Sequence, residues 1–262
     1  LGKSASYVYD LQLIGFFDGF LGLLHDRHIV LDDSALSGIL TIGGTILGTS
    51  RDKPSKMLVG GKIQDMRDAM LETYKKHHLD ILVCIGGGGT QKNAFSLMDK
   101  GMNVLTLPKT IDNDIQGTDF TFGFDTAVMV ATEAIDRLHT TAESHHRVMV
   151  LELMGRDAGF IALHAGLAGG ADVILIPEIP FQFSAIEKKV RQRVERGSPF
   201  SIIAVAEGAR PQGSQQVFAI PGDAVYTARL GGMGELVCKF INDQVNIEAR
   251  AIVLGHLQRG GS

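Results

Sequence analysis

The sequence predicts an α/β fold with open, mostly parallel sheets that helices cover on both faces. Short, apolar, β-branched runs alternate with helical patterns along the chain, and this β-α-β-α order is typical of parallel sheets. Several apolar runs are nearly continuous and do not alternate with polar residues, which indicates strands that are buried on both faces. In such sheets, ligands bind beyond the carboxyl ends of the strands.

The individual elements follow from this reading of the pattern. The predicted strands are Leu11–Phe16, Leu79–Ile85, Asn103–Leu107, Arg147–Leu153, Asp172–Ile176, Phe200–Ala206 and Ala249–Leu254. The predicted helices are Lys62–His77, Thr90–Asp99, Asp125–Thr141, Ala158–Ala168, Ser184–Arg196 and Thr227–Gln244. The segment Ala209–Ala224 is rich in Gly, Pro and Gln and is predicted to be an exposed loop.

Composition narrows the classes of function. The 262 residues carry a net charge of −4, which does not favour nucleic acid or an anionic membrane as a partner. The two cysteines, Cys84 and Cys238, form no metal-binding spacing and no disulfide framework, as expected of a cytoplasmic protein. No apolar run is long enough to span a membrane. The sequence starts at Leu1, and we expect both true ends of the protein to lie outside it.

Glycine and polar residues directly follow five predicted strands, and these positions predict one ligand-binding crevice. The segments are Gly86–Thr90, residues 108–114, Met154–Arg156, Glu207–Gly208 and Gly255–His256. The first of them is a strand-to-helix turn whose backbone N–H groups can bind phosphate. It has neither the Walker A pattern nor the Rossmann glycine spacing, so a tight turn without a ligand is the alternative.

Asp112 and Asp114 are the sharper chemical feature. Residues two apart in an extended segment point the same way, so both carboxylates can face one site. Phosphoryl transfer to an alcohol needs a base for the hydroxyl proton and a group that holds a divalent metal. Pro108 fixes the entry to this segment, and Lys109 adds a cation beside the acids. The alternative is an Asx-rich turn that caps a helix.

Five arginines adjoin glycines, strand ends or other polar groups, namely Arg51, Arg147, Arg156, Arg250 and Arg259. The planar guanidinium forms two parallel, charge-assisted hydrogen bonds with a phosphate, so the set indicates a phosphorylated ligand. His256 can bond a sugar hydroxyl or phosphate, although a lone histidine is more often structural. The pair His145 and His146 lacks a Cys or carboxylate at ligand spacing and is not interpreted as a metal site.

Five segments together resemble the signature segments of the 6-phosphofructokinase family, in the order and at the spacing found in that family. They are Ile42–Arg51, Pro108–Ile115, Gly123–Ala127, Met154–Arg156 and Leu254–Ser262. The resemblance runs from about Gly15 to the last residue. It implies two similar three-layer domains with the active site in the cleft between them. The donor-binding domain would comprise residues 1–123 plus 257–262, and the fructose 6-phosphate-binding domain residues 124–256.

The resemblance also implies an activity and a set of residue roles. The activity is phosphoryl transfer from ATP, with Mg²⁺, to the 1-hydroxyl of fructose 6-phosphate in glycolysis. The implied catalytic residues are Asp112 as base, with Thr110, Lys109 and Arg156. Asp114 would bind the metal. The implied sugar-phosphate pocket contains Thr110, Asp112, Met154, Gly155, Arg156, Glu207, His256 and Arg259. The implied donor site contains Arg51, Gly87, Gly88, Gly89 and Thr90.

Arg147 and Arg250 match family arginines that reach the sugar phosphate of a neighbouring subunit, which implies a homodimer or homotetramer with shared active sites. Three departures from the family matter. Its N-terminal glycine-rich phosphate loop and its segment beyond Ser262 are absent from this sequence. In addition, Gly88 stands where the family usually carries an acid that helps to hold magnesium. The Gly88 departure motivates an alternative, a non-catalytic paralogue or regulatory subunit that binds sugar phosphate.

Two positions bear on whether the phosphoryl donor is ATP or pyrophosphate. Gly89 matches a position that is small in ATP-using members and acidic in many pyrophosphate-using ones, where a carboxylate would crowd the inner phosphates of a nucleotide. It therefore favours ATP. Lys109 favours the alternative, a pyrophosphate-dependent phosphofructokinase, because lysine there is typical of those members. Some ATP-using members also carry it.

Overall fold

The computed structural model describes residues 2–216, 218–220 and 229–261. The chain divides into two compact units. Unit 1 comprises Leu1–Lys109 with Gly260–Ser262, and unit 2 comprises Thr110–Arg259. The chain thus passes from one unit to the other within the segment that carries the predicted base. The division at residue 123 and the assignment of one ligand to each domain remain predictions.

The elements are numbered in chain order. The strands are β1 (Ile14–Phe16), β2 (His28–Val30), β3 (Met57–Val59), β4 (Lys62–Gln64), β5 (Leu82–Gly86), β6 (Val104–Pro108), β7 (Val148–Leu153), β8 (Val173–Leu175), β9 (Ser201–Ala206), β10 (Phe218–Ile220), β11 (Arg229–Leu230) and β12 (Ala249–Val253). The helices are α1 (Gly2–Tyr9), α2 (Phe20–Leu24), α3 (Arg67–Lys76), α4 (Gly88–Met98), α5 (Phe124–His145), α6 (Phe160–Ala168), α7 (Phe183–Glu195) and α8 (Met233–Phe240). Short 3₁₀ helices cover Ile39–Thr41 and Gly255–Arg259, and a π-helix covers Ile241–Val245.

Unit 2 is built on a parallel four-stranded sheet with the strand order β12-β7-β9-β8. Every residue of β7 and β9 is buried, because successive side chains point to opposite faces and each face is covered. Val150 and Ile203 pack on one face with residues of α7 and α8. Leu151 and Ile202 pack on the other face with residues of α5 and α6. The predicted α/β class with parallel strands is confirmed.

Unit 1 contains smaller sheets. β5 and β6 form a parallel pair, and β1–β2 and β3–β4 form two antiparallel hairpins. Leu82 and Cys84 of β5 are buried in a cluster with Met70 of α3 and Leu97 of α4, whereas Ile85 is 57% exposed on the other face. Burial of a strand on both faces is therefore found in β7 and β9 but not in β5.

The predicted helix Lys62–His77 is wrong in its first part. Residues Lys62–Gln64 instead pair with β3 in a hairpin. Gly60 and Gly61 join the two strands with φ of 58° and 78°, the left-handed values that a two-residue hairpin turn requires. The helix begins only at Arg67, where the Asp65 carboxylate accepts a hydrogen bond from the Arg67 backbone N–H.

The structure also differs from two predicted elements near residue 230, a loop and a helix. Part of the predicted loop Ala209–Ala224 is a strand, because β10 pairs with β11, while residues 217 and 221–224 lie outside the described residues. The predicted helix Thr227–Gln244 starts later, at Met233, because Gly231 and Gly232 have φ of 143° and 93°. Its residues 227 and 228 are also outside the described part, as is Ser262 of the last motif.

The remaining predicted strands and helices are present with shifted ends. β1 starts three residues later than predicted, at Ile14, and α5 continues past Thr141 to His145. α1, α2 and β2 had no counterpart in the predictions. Among the described residues, none of the helices has the length and apolar character needed to cross a membrane.

Candidate active site

Three neighbouring strands of unit 2 end at the same edge of the sheet. Because β12, β7 and β9 run parallel, the segments after them must meet there. The Leu254 N–H donates to the Glu152 carbonyl at 3.0 Å, and the Glu207 N–H donates to the Leu153 carbonyl at 2.8 Å. The predicted segments 154–156, 207–208 and 255–256 are thus brought together at this carboxyl edge.

Glycine is required where two of these segments touch. The Gly208 N–H donates to the Gly155 carbonyl at 3.0 Å, and a Cβ at position 208 would clash with the backbone carbonyl of Arg156. Gly155 has a φ of 143°, which residues with a side chain rarely adopt. The glycines let the backbones after β7 and β9 approach closely.

Gln258 connects the third segment to the other two. Its side chain is 1% exposed, and its Oε1 accepts a hydrogen bond from the Met154 N–H at 3.3 Å while its Nε2 donates to the Gly255 carbonyl. The next residue, Arg259, places its Nε 3.4 Å from the Met154 Sδ. The predicted pocket residues Met154 and Arg259 are therefore in contact, and His256 lies exposed in the same 3₁₀ helix.

The segment Thr110–Asp114 forms a turn held by its own side chains. Asn113 has a φ of 52°, and its Oδ1 accepts a hydrogen bond from the Thr121 N–H at 2.9 Å. The Thr121 hydroxyl, which is buried, donates to the Thr110 carbonyl at 2.8 Å. The alternative of an Asx-rich turn that caps a helix does not describe this segment, because Asn113 bonds a residue eight positions later and no side chain in the described part of the chain caps α5. The carboxylates on either side of Asn113 do not form that bond.

Asp112 lies in an environment that makes it a stronger base. Burial raises the pKa of Asp112, and the nearby Asp114 carboxylate raises it further. The Arg259 guanidinium and a hydrogen bond with Thr110 act in the opposite direction on this pKa. A half-buried carboxylate with a raised pKa and a cation beside it suits the acceptance of a proton from a substrate hydroxyl.

Glu207 shares this electrostatic environment. Burial raises the pKa of Glu207, and the carboxylates of Glu152 and Asp112 raise it further, while Arg259 lowers it. One arginine thus partly offsets several acids at the carboxyl edge. The exposed Asp114 completes a pair with Asp112, and carboxylate oxygens are the ligands that Mg²⁺ prefers. The repulsion between the two acids, seen in the raised pKa of Asp112, is relieved by a divalent cation, so these residues fit the metal.

Glu152 is a site residue that the sequence analysis missed. It is the last residue but one of β7, is 3% exposed, and accepts hydrogen bonds from the backbone N–H groups of Gly232 and Gly234, the latter at 2.7 Å. These groups begin α8, and the partial positive charge of a helix N-terminus stabilises a buried carboxylate. A charged residue inside an apolar strand was the available signal. Other missed residues are Asn113, Thr121 and Gln258.

Arg147 and Arg250 lie at the opposite, amino edge of the sheet. Arg147 directly precedes β7, and Arg250 is the second residue of β12. Glu248 holds both, with its Oε2 2.8 Å from Arg147 Nε and its Oε1 2.6 Å from Arg250 Nη2. A six-residue strand is about 20 Å long, so these arginines are not brought to Asp112 of the same chain. Arg156, in contrast, lies three residues after the end of β7, at the carboxyl edge.

The predicted donor residues lie in unit 1. Gly86 ends β5, and α4 begins at Gly88 without an acidic side chain in its first turn. Thr90 packs on Gly86, where a Cβ would clash with it, and the Lys109 N–H donates to the Gly86 carbonyl at 3.1 Å. A glycine turn that opens a helix next to a parallel strand provides backbone N–H groups for an anion. Arg51 is exposed in the loop before β3.

Unit 2 carries a half-buried carboxylate at its sheet edge, and unit 1 carries a helix N-terminus that offers backbone N–H groups to an anion. Both kinds of group serve phosphoryl transfer to an alcohol. These features are typical of phosphotransferases. The family model described as phosphofructokinase matches residues 3–262, and the chain belongs to the phosphofructokinase family.

Curated relatives share about half of the sequence. The chain is 50% identical over 279 residues to the ATP-dependent 6-phosphofructokinase of Propionibacterium freudenreichii subsp. shermanii, an alignment that covers 100% of this chain and 75% of the relative. It is 51% identical over 267 residues to the ATP-dependent 6-phosphofructokinase of Chloroflexus aurantiacus, covering 99% of this chain and 72% of the relative.

Solved structures of the family share the fold. The phosphofructokinase of Pichia pastoris in the T-state aligns with a TM-score of 0.82 at 28% identity, covering 98% of this chain and 27% of that chain. The pyrophosphate-dependent phosphofructokinase of Marinobacter aquaeolei aligns with a TM-score of 0.75 at 25% identity, covering 95% of this chain and 60% of that chain. The chain therefore spans about a quarter and three fifths of these two structures.

Proposed function

We propose that this chain transfers the terminal phosphoryl group of ATP to the 1-hydroxyl of fructose 6-phosphate, giving fructose 1,6-bisphosphate and ADP. The observation that carries the proposal is Asp112, a half-buried carboxylate with a raised pKa at the carboxyl edge of the unit 2 sheet. Relatives about 50% identical along almost the whole chain carry the name ATP-dependent 6-phosphofructokinase, which supports the same reaction.

Asp112 is the proposed base. Its carboxylate takes the proton of the substrate 1-hydroxyl as the oxygen attacks the terminal phosphorus, and the bond to the leaving ADP oxygen breaks. The raised pKa of Asp112 increases its affinity for that proton, while the Arg259 cation keeps part of the charged form available. Thr110, whose Oγ1 accepts the Asp112 backbone N–H at 3.2 Å, orients this turn beside the reacting atoms.

The sugar phosphate would occupy the pocket at the carboxyl edge. Arg156, Arg259 and His256 supply groups for its phosphate or hydroxyls, and Glu207 supplies a carboxylate that can accept a hydrogen bond from a sugar hydroxyl. Met154 and Gly155 form the pocket wall through backbone and apolar contacts. Arg156 also belongs to the proposed catalytic set with Lys109, because both cations can offset charge on the moving phosphoryl group.

The donor would bind the glycine turn of unit 1, through Gly87, Gly88, Gly89, Thr90 and Arg51. A Cβ at position 89 would have open space within 4 Å, so the turn leaves room beside it for the inner phosphates of a nucleotide. Lys109 is the residue that favours pyrophosphate as an alternative donor. The names of the relatives favour ATP.

Asp114 is the residue that would hold Mg²⁺, together with oxygens of the donor phosphates. When bound, the ion supplies positive charge that offsets the developing charge on the transferring phosphoryl group. Gly88 contributes no carboxylate to it, which leaves Asp112 and Asp114 as the acids of the turn. Gly88 is also the residue that favours a non-catalytic sugar-phosphate-binding paralogue.

Arg147 and Arg250 support a homodimer or homotetramer with shared sites. Both lie at the amino edge of their own sheet, held by Glu248, so they would serve a sugar phosphate bound to a neighbouring copy. We further propose that residues 1–123 with 257–262 form a donor domain and residues 124–256 a sugar domain. The enzyme would work in the cytoplasm, because the reaction belongs to glycolysis.

A two-donor assay tests the proposal. Purified protein receives fructose 6-phosphate with ATP or with pyrophosphate, each with and without Mg²⁺, and fructose 1,6-bisphosphate is measured. We expect efficient turnover with ATP and Mg²⁺ only. Efficient turnover with pyrophosphate alone identifies the alternative donor, and saturable sugar-phosphate binding without turnover under any condition identifies the non-catalytic paralogue.

A further inference from the structure

A second group of polar side chains lies in unit 1 and has no role in the proposed reaction. It consists of Asp26, His28 and His77, whose nearest ligand atoms all lie within 4.8 Å of one another. Asp26 precedes β2, His28 opens β2, and His77 caps the C-terminal end of α3. The three residues thus join two elements that are about fifty positions apart in the sequence.

One carboxylate oxygen is the centre of this group. Asp26 Oδ1 lies 2.5 Å from His77 Nε2 and 3.1 Å from His28 Nδ1. The two imidazole rings are 4.5 Å apart between centroids and meet edge to face at 70°. Two ring nitrogens therefore converge on the same oxygen from different directions, and a metal ion with ligand distances near 2 Å needs only a small outward movement of the side chains to enter between them.

Two imidazoles and one carboxylate are a ligand set suited to first-row transition metals. Neutral imidazole nitrogen binds Zn²⁺, Co²⁺, Ni²⁺ and Cu²⁺ well, and Zn²⁺ accepts three protein ligands with water in the fourth position. Mg²⁺ and Ca²⁺ prefer oxygen ligands, so this group differs in selectivity from the Asp112–Asp114 pair. The side chains retain between 17% and 31% exposure, which gives an ion access from solvent.

The surroundings hold the ligands in place. The Phe16 ring packs against both imidazoles, with centroids 6.0 Å from His28 and 6.2 Å from His77. Asp26 has a φ of 53°, a left-handed conformation that an aspartate tolerates in a turn. The Lys76 ammonium lies 2.6 Å from Asp26 Oδ2, the oxygen opposite the one that faces the imidazoles. Asp26 Oδ2 can thus pair with Lys76 while Asp26 Oδ1 remains available to a metal ion.

A plain ion-pair cluster is the competing interpretation. Lys76 and His77 hold the Asp26 carboxylate ionised, with its pKa lowered to about 2, and such a cluster needs no metal. Lys76 and His77 already satisfy the charge of that carboxylate, however, and His28 brings a further ring nitrogen to it. His28 Nδ1 lies 3.1 Å from both Asp26 Oδ1 and the Asp26 backbone carbonyl oxygen. The convergence of both rings on Asp26 Oδ1, against the same phenylalanine, is the feature that favours a metal.

We propose that Asp26, His28 and His77 form a binding site for a first-row transition metal ion, with Zn²⁺ as the natural candidate. The ion would cross-link the start of β2 to the end of α3 and stabilise unit 1. The site is independent of the proposed phosphoryl transfer, which depends on residues of the carboxyl edge and the glycine turn.

Metal titration of the whole protein tests the site. Protein without an affinity tag is freed of metal with a chelator, and Co²⁺ binding is followed by its visible d–d absorption, with Zn²⁺ used to displace it. We expect one equivalent of Co²⁺ to bind through nitrogen ligands and Zn²⁺ to displace it. We also expect the melting temperature of the protein to be higher with Zn²⁺ than with chelator. His77→Ala and, separately, His28→Gln should each weaken that equivalent at least about tenfold. His145→Gln removes an exposed histidine outside the group and should leave binding unchanged.

Lys76→Ala separates the two interpretations further. It keeps all three ligands and removes a positive charge next to the metal, so Zn²⁺ should bind as tightly as before or up to about fivefold more tightly. Binding in His28→Gln and His77→Ala that equals wild type in affinity and stoichiometry would overturn the proposal, as would the absence of any Zn²⁺ equivalent in wild type. The two-donor assay is a separate readout, so failure of one proposal leaves the other standing.

Discussion

The strands β7 and β9 at the centre of unit 2 are buried along their whole length, whereas β5 of unit 1 is buried on one face only. In β7 and β9 each apolar residue packs into one of two apolar clusters, but in β5 buried and exposed residues alternate. The two units also present different chemistry. Unit 2 carries side chains such as Asp112 and Glu207 at its sheet edge, and unit 1 offers the backbone of a glycine turn.

This difference matches the two roles proposed above, a proton acceptor in unit 2 and a phosphate contact in unit 1. A proton acceptor must keep its position and its pKa, and both depend on burial and on fixed neighbours. The buried sheet of unit 2, braced by Gln258 and Glu152, supplies these. A phosphate contact needs only backbone N–H groups at a helix start, and the small sheet of unit 1 is sufficient for that.

Loss of the base should have the largest effect. Asp112→Ser should lower kcat by about 10²–10⁴-fold, because that is the usual contribution of a positioned general base, while fructose 6-phosphate binding changes little. Steady-state kinetics and sugar-phosphate titration check this. Asp119→Ser is the control, since the structure uses the Asp119 backbone carbonyl and not its carboxylate to hold Asn113. Nearly normal kcat in Asp112→Ser would show that the base is assigned wrongly.

Truncation of one isoleucine in each unit should lower the unfolding free energy by very different amounts. Ile203 of β9 is 0% exposed and Ile85 of β5 is 57% exposed. Ile203→Ala should cost about 2–5 kcal/mol of unfolding free energy through lost burial and a cavity, whereas Ile85→Ala should change it by less than about 0.5 kcal/mol. Urea denaturation measures both. Equal losses would mean that the exposed face of β5 is covered in the working protein.

A methyl group added to one glycine in each unit should give a smaller contrast. Gly208→Ala should cost about 1–3 kcal/mol and raise the KM for fructose 6-phosphate, because the new Cβ meets the Arg156 carbonyl. Gly89→Ala meets nothing within 4 Å and should gain up to about 1 kcal/mol from helix propensity. Thermal melts and KM values for both substrates check the pair. A tolerated Gly208→Ala would contradict the close approach described for Gly155 and Gly208.

The smallest effect concerns pH. Burial places the pKa of Asp112 above 3.8, and the Arg259 cation lowers it. The base must be deprotonated to act, so removing the cation in Arg259→Gln should move the acid limb of the kcat profile to higher pH, by less than about 1 unit. Arg259→Lys keeps the charge and should shift the limb less. A shift towards lower pH would contradict the assigned interaction.

Strand direction made much of the site predictable. The residues that follow parallel strands meet at one edge of the sheet, so Met154–Arg156, Glu207–Gly208 and Gly255–His256 could be grouped before their contacts were known. The same rule places Arg147 and Arg250 away from that edge, because they stand at strand beginnings. The resemblance to the family assigned the roles, and its match over residues 3–262 confirms the membership.

Other features depend on contacts between residues far apart in the chain. Nothing local marks Glu152 as the partner of α8, since Gly232 lies 80 residues later. The helical pattern of Lys62–His77 did not reveal the β3–β4 hairpin. Gly60 and Gly61 form its turn in left-handed conformation, and this turn overrides the helix propensity of residues 62–64. Residues Asp26, His28 and His77 likewise give no signal as a group until folding joins β2 to α3.

The hydrogen bond from Met154 to Gln258 has a consequence for amide exchange. A backbone N–H held by a buried side chain exchanges with solvent only when the segments after β7 and β12 separate. Deuterium uptake at Met154 would therefore report the opening of the pocket before any ligand arrives. Slow uptake in the free protein would mean that these segments are already ordered after folding. Binding of the sugar phosphate would then carry no free-energy cost for ordering them.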